Sequence, residues 1–186
     1  MFFKHQTIKE KGEFDASQYW SLKQGHRPIT FTQKCGLISS ALNSMGLIDG
    51  FAPTILVVGH ESQGVNNPHQ HSLNCGACGG QSGELNARIF CQLANDEKIR
   101  IALKEQGINI PDKTVFLPAV HNTTTDRVQV VNDGVIDDEL VTWLNKAQQA
   151  AQKERAKKLG LSVSDEHLST NIIHRSQDWS QVRPEW

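Results

Sequence analysis

Long apolar runs are missing from this chain. The longest, Thr54–Val58 with Phe51 and Ala52 just before it, falls far short of the roughly 20 residues that span a bilayer, so no segment is expected to cross a membrane alone. Net charge is nearly absent as well. Lys and Arg number 19 against 20 Asp and Glu, a formal balance of -1, which leaves no long-range field to gather nucleic acid or an anionic surface. No nucleic-acid partner is expected. The opening residues, MFFKHQTIKEKGEF, lack the apolar core and small-residue cleavage site of a secretory signal, which points to the cytoplasm. The four cysteines, Cys35, Cys75, Cys78 and Cys91, are therefore read as thiols or metal ligands rather than disulfide partners.

What is present is an ordinary globular composition, 186 residues with 38% hydrophobic and 21% charged side chains. A domain of this length buries about 70% of its unfolded surface, so no metal is needed merely to hold it together. Any metal site would then serve function.

Residues 1–30 form a lead-in segment without a clear period. The spacing of Leu37, Ile38, Ala41 and Leu42 predicts a helix over 32–45 that Gly46 stops. The run TILVV after the turn-like IDGFAP predicts a strand buried on both faces of a parallel sheet. Ser82 is placed to cap a helix reaching Ala94, and Asn95 to cap a second one ending before Gly107. TVFLPAV, residues 114–120, reads as another strand, with Pro118 suited to an edge or a bulge. Residues 126–131 suit a further short strand. Asp137 opens a long helix with Leu140, Trp143, Leu144, Ala147 and Ala151 on one stripe, and its basic end, KERAKKLG, is expected to be a solvated terminus. Beyond Leu161 periodicity is lost. Residues 31–160 are thus expected to form one α/β domain, and 161–186 a tail, with Trp179, Trp186, Arg175 and Arg183 packed in a core.

Chemistry concentrates in GHESQGVNNPHQHSLNCGACGG, residues 59–80, which holds three of the eight histidines and two of the four cysteines. His60 follows one apolar run and His121 another, and ligands of open α/β sheets bind outside the carboxyl ends of strands. A thiolate and an imidazole on a glycine-rich loop are natural zinc ligands, and the helix start near Ser82 favours a thiolate. Cys75 and His60 are therefore the candidate pair, whereas His69 and His71 read as loop residues. A zinc ribbon needs a second CxxC, and CGAC has none. Catalytic zinc takes three protein ligands and closed sites four, so two is too few. Either Cys78 or a loop histidine completes the site, or the remaining ligands lie on other polypeptide.

The segments SMGLIDGFAP, GHESQGVNNPHQHSLNCGACGGQSGELNAR, INIPDKTVFLPAVHNTTTD and DWSQVRPEW together resemble the DabA family, the A subunits of bacterial energy-coupled inorganic carbon transporters. The resemblance runs from about Ser44 to the last residue. It implies an α/β fold with a mostly parallel sheet flanked by helices, similar to β-class carbonic anhydrases and incomplete in this chain. It further implies one Zn2+ held by His60, Cys75 and a Cys-x-Asp pair from earlier in the family's fold. Cys78 lies in the motif but does not match the family's ligand, although the CGG at Cys78 keeps both cysteines open on the residues alone. This chain departs from the family in having no Cys-x-Asp, and it is expected to be a fragment. The implied chemistry is hydration of CO2 to bicarbonate, with a membrane-embedded, proton-conducting B subunit as partner and a peripheral place on the cytoplasmic face of the inner membrane. A stand-alone structural zinc or thiol-redox module built on the CxxC is the alternative.

Overall fold

Thr30 begins the first helix by accepting from the Gln33 amide at 3.2 Å while the Gln33 side chain accepts from the Thr30 amide at 2.9 Å. This reciprocal cap satisfies two donors that a helix end leaves open. The computed structural model describes residues 28–65, 70–132 and 136–178. Its elements are α1 (Phe31–Ser44), β1 (Thr54–Glu61), α2 (Gln70–Leu73), a 3-10 turn (Gly76–Cys78), α3 (Glu84–Ala94), α4 (Glu97–Glu105), β2 (Val115–Asn122), β3 (Arg127–Val130), α5 (Asp138–Ala156) and α6 (Leu168–Ser176). Most of the lead-in segment, His69 and the tryptophans of the tail lie outside the described residues.

The sheet runs in the order β1-β2-β3. Val115 donates its amide to the Pro53 carbonyl and Thr123 to that of Glu61, both at 2.8 Å, so donor and acceptor advance together and β1 and β2 are parallel. β2 and β3 are antiparallel, from Ala119 opposite Val130 to Asn122 opposite Arg127. The expected mostly parallel sheet is thus mixed among the described residues. The cause is the short link at 123–126, long enough for a hairpin and too short for a crossover. Pro118 is tolerated in the central strand because the β3 ladder begins only at Ala119. β1 also departs from expectation. It continues through His60 to Glu61, and none of its residues is fully buried, Val58 being 48% exposed. Within the described sheet it is an edge strand, so one side of it lacks a neighbour.

Contacts divide the described chain into two units, one ending at Val57 and resuming over Leu85–Pro118, the other made of Val58–Glu84 and the residues from Ala119 on. In the first, Cys35, Ile38 and Leu42 of α1 pack with Ile89 and Leu93 of α3 and Ile99 and Leu103 of α4. Phe116 lies edge-on to Phe51 and Phe90, with centroids 6.4 and 6.2 Å away. Asp96, not Asn95, caps α4, accepting from the amides of Lys98 and Ile99. Asn95 instead clasps the backbone of Phe116, donating to its carbonyl at 2.8 Å and accepting from its amide at 3.0 Å.

In the second unit α5 packs on β3 and α6. The expected stripe is turned: Trp143 is 59% exposed, while Gln152 is 1% exposed. Gln152 donates to the Thr125 carbonyl and Arg155 to that of Thr123, both at 2.9 Å, so polar side chains take the inward positions by serving the hairpin turn. α6 falls where no period was expected. Leu168 and Ile172 of this two-turn helix close a small core with Ala156 and Leu159.

Candidate metal centre

His60 and Cys75 are brought to one stretch of backbone, residues 81–83, just before α3. The Gly83 amide donates to the His60 carbonyl at 2.9 Å. The Cys75 amide donates to the Gln81 carbonyl at 3.2 Å, and the two residues form a bridge. The approach at Gly83 is possible only without side chains. A Cβ on Gly59 would lie 2.5 Å from the Gly83 carbonyl carbon, and one on Gly83 2.9 Å from the Gly59 Cα.

The CxxC folds into a tight turn around Cys75. The amides of Cys78 and Gly80 both donate to the Cys75 carbonyl, at 3.0 and 2.9 Å. Gly79 and Gly80 take φ of 68° and 76°, the left-handed region where side chains are strained. Cys75 is 7% exposed, Cys78 is half-buried, and His60 is exposed. Ser82 accepts from the Glu84 amide at 3.2 Å, the cap expected at the start of α3.

The rest of the loop is tied down. Asn74 Oδ1 accepts from the Ser62 amide and hydroxyl at 2.8 and 2.9 Å. His71 Nδ1 lies 2.9 Å from the Gly80 carbonyl, and since a carbonyl only accepts, Nδ1 carries the proton. His71 thus braces the loop, as expected of a loop histidine. Cys91 is 2% exposed, and burial pushes its thiol from the ordinary 9.0 to about 12. Cys35, 4% exposed, is also raised by burial. Both are inert members of the core.

A thiol and an imidazole suit zinc, and they make two of the three or four ligands it takes. Among the described residues no group of three or more His, Cys, Asp or Glu side chains is gathered for a metal ion. His121, expected at the same strand-end edge as His60, lies next to it across the sheet. The Thr123–Glu61 bond fixes the parallel register so that His60 stands beside His121, with both side chains on one face. The strand-end position of each histidine was the available signal. On the opposite face a cavity of about 350 Å³, lined by Glu61, Asn122, Arg127 and Gln129, contains neither His60 nor Cys75.

The fold and this site define an α/β protein that presents a histidine and a cysteine at the carboxyl end of a parallel strand pair. Residues 3–186 match the family described as "Probable inorganic carbon transporter subunit DabA", and the chain belongs to that family. Proteins of that description from Hydrogenovibrio crunogenus and Marinomonas sp. (strain MWYL1) are 44% identical over 172 residues and 41% over 196. The matches cover 92% and 99% of this chain but 21% and 24% of those relatives. The chain thus spans about a quarter or less of the curated relatives it matches. No solved structure matches it.

Proposed function

We propose that this chain is the part of an inorganic carbon transporter subunit that supplies His60 and Cys75 to a zinc centre completed by other polypeptide of the family-length protein. The observation that supports this most is the attachment of both residues to the same three-residue stretch before α3, through Gly83 and Gln81. His60 would bind through imidazole nitrogen and Cys75 through sulfur, with a Cys-x-Asp pair from outside this chain as the remaining ligands. Zinc bound there would supply the Lewis acidity that hydration of CO2 to bicarbonate requires. The chain's own contribution is to hold the ligands on short backbone bonds and to keep the thiol shielded from solvent. The proposed partner is a membrane-embedded, proton-conducting B subunit, with this subunit peripheral on the cytoplasmic face of the inner membrane. No helix among the described residues is long and apolar enough to cross a membrane.

Metal analysis tests the reading. The chain alone should bind zinc substoichiometrically, and joining it to the flanking polypeptide of the Hydrogenovibrio crunogenus relative should give one zinc per chain. His60→Ala and Cys75→Ala should each remove that zinc; retention of full zinc by both variants would refute the assignment. Tight zinc binding by the chain alone, or a reversible Cys75–Cys78 disulfide, would instead support the module built on the CxxC.

A further inference from the structure

Asp126 ends the hairpin turn with φ 58°, the one non-glycine residue in the left-handed region among those described. Its side chain is buried, 8% exposed. Oδ2 accepts from Arg155 Nη1 at 2.7 Å, and Oδ1 faces His121 Nε2 at 3.8 Å. The left-handed region is strained for most residues, with Gly favoured and Asn well tolerated. Asn would also keep an oxygen for Arg155. What Asn cannot do is present one carboxylate oxygen to each of two cationic or proton-bearing groups. The geometry therefore suits a carboxylate with two tasks better than it suits a turn.

We infer that Asp126 is a positioning residue that fixes the imidazole of His121 beside His60, so that His121 Nδ1 meets a small hydroxyl-bearing ligand, water or bicarbonate, at the strand ends. At 3.8 Å the contact is an ion-pair distance, and because a carboxylate only accepts, it favours the ring form with the proton on Nε2, which leaves Nδ1 as the acceptor. His121 is 37% exposed, open enough for a small ligand to reach. Arg155 holds the carboxylate from the far side and also donates to the Thr123 carbonyl, which locks the turn from which Asp126 projects. The register then does the rest: His121 and His60 stand side by side on one face. This inference rests on the proposed function for its ligand, but its first test does not.

Long-range proton–nitrogen NMR of the metal-free chain at pH 8 should show His121 with its proton on Nε2. In Asp126→Asn the tautomers should mix, with some loss of thermal stability because the buried ion pair to Arg155 is removed. Asp126→Gly, which fits the backbone best, carries the same expectation should the Asn variant fail to fold. An unchanged His121 tautomer in the variant that folds would overturn the inference. In the family-length protein described above, His121→Ala should lower CO2 hydration at least tenfold with zinc content intact, and His121→Gln, which restores an acceptor, should recover part of it. Full activity in His121→Ala, beside loss in His60→Ala, would also overturn it. Full activity in His60→Ala would refute the proposed function and leave the NMR result standing.

Discussion

Single residues carry the chemistry here, and their environments separate reactive from inert sulfur. Cys91 lies in α3 against the Val57 backbone, and burial raises its thiol to about 12. A thiol raised in the folded state holds its proton longer than in the unfolded chain, so folding stability is complete below about pH 9 and declines as pH climbs from there toward 12. Urea midpoints should therefore fall between pH 8 and pH 10.5, and Cys91→Ala should flatten that fall; a fall of equal size in the variant would assign it to other groups. The inert roles of Cys35 and Cys91 were legible because each sits within an apolar helical period. The choice of Cys75 came from the family resemblance, since glycine spacing alone treats Cys75 and Cys78 alike. In the structure Cys75 is the more enclosed of the two.

At the scale of elements, α3, α4 and the start of β2 are joined by one side chain. Arg100 donates to the carbonyls of Ala94 and Thr114 at 2.8 Å each, to Asn95 Oδ1 at 3.0 Å and to the Pro111 carbonyl at 3.3 Å. Burial lowers its pKa, the mark of a guanidinium taken partly out of water. Arg100→Ala strands several carbonyls and should destabilise the chain by about 2–3 kcal/mol, because hydrogen bonds to charged donors are the stronger kind. Denaturation with the Arg100→Lys variant as comparison checks this; a loss below roughly 0.5 kcal/mol, the range of ordinary surface changes, would show the clamp to be idle. Period and punctuation revealed α1, α3, α4 and α5, since Gly46, Ser82 and the apolar rows are local signals. They missed α6, whose nine residues carry few apolar positions, and the facing of α5, which polar contacts to the hairpin decide. No local pattern encodes such contacts.

For the whole molecule, the two units differ in how much apolar surface they enclose. Among the described residues the core of the first gathers thirteen buried residues and that of the second four, so opening should be cheaper in the second. Amides of α1, α3 and α4 should exchange at least tenfold more slowly than those of α5 and α6 under native conditions. Equal protection would mean that packing outside these cores dominates. The alternation of strand and helix made the α/β class legible, whereas the hairpin's direction was set by a link too polar to read. The pair Gly59 and Gly83 has a consequence for how such a sequence can vary. Each missing methyl group would strike the other's main chain, which no substitution can trim. In a library that varies both positions together, no second change at one should rescue a change at the other, so the two losses would combine without compensation.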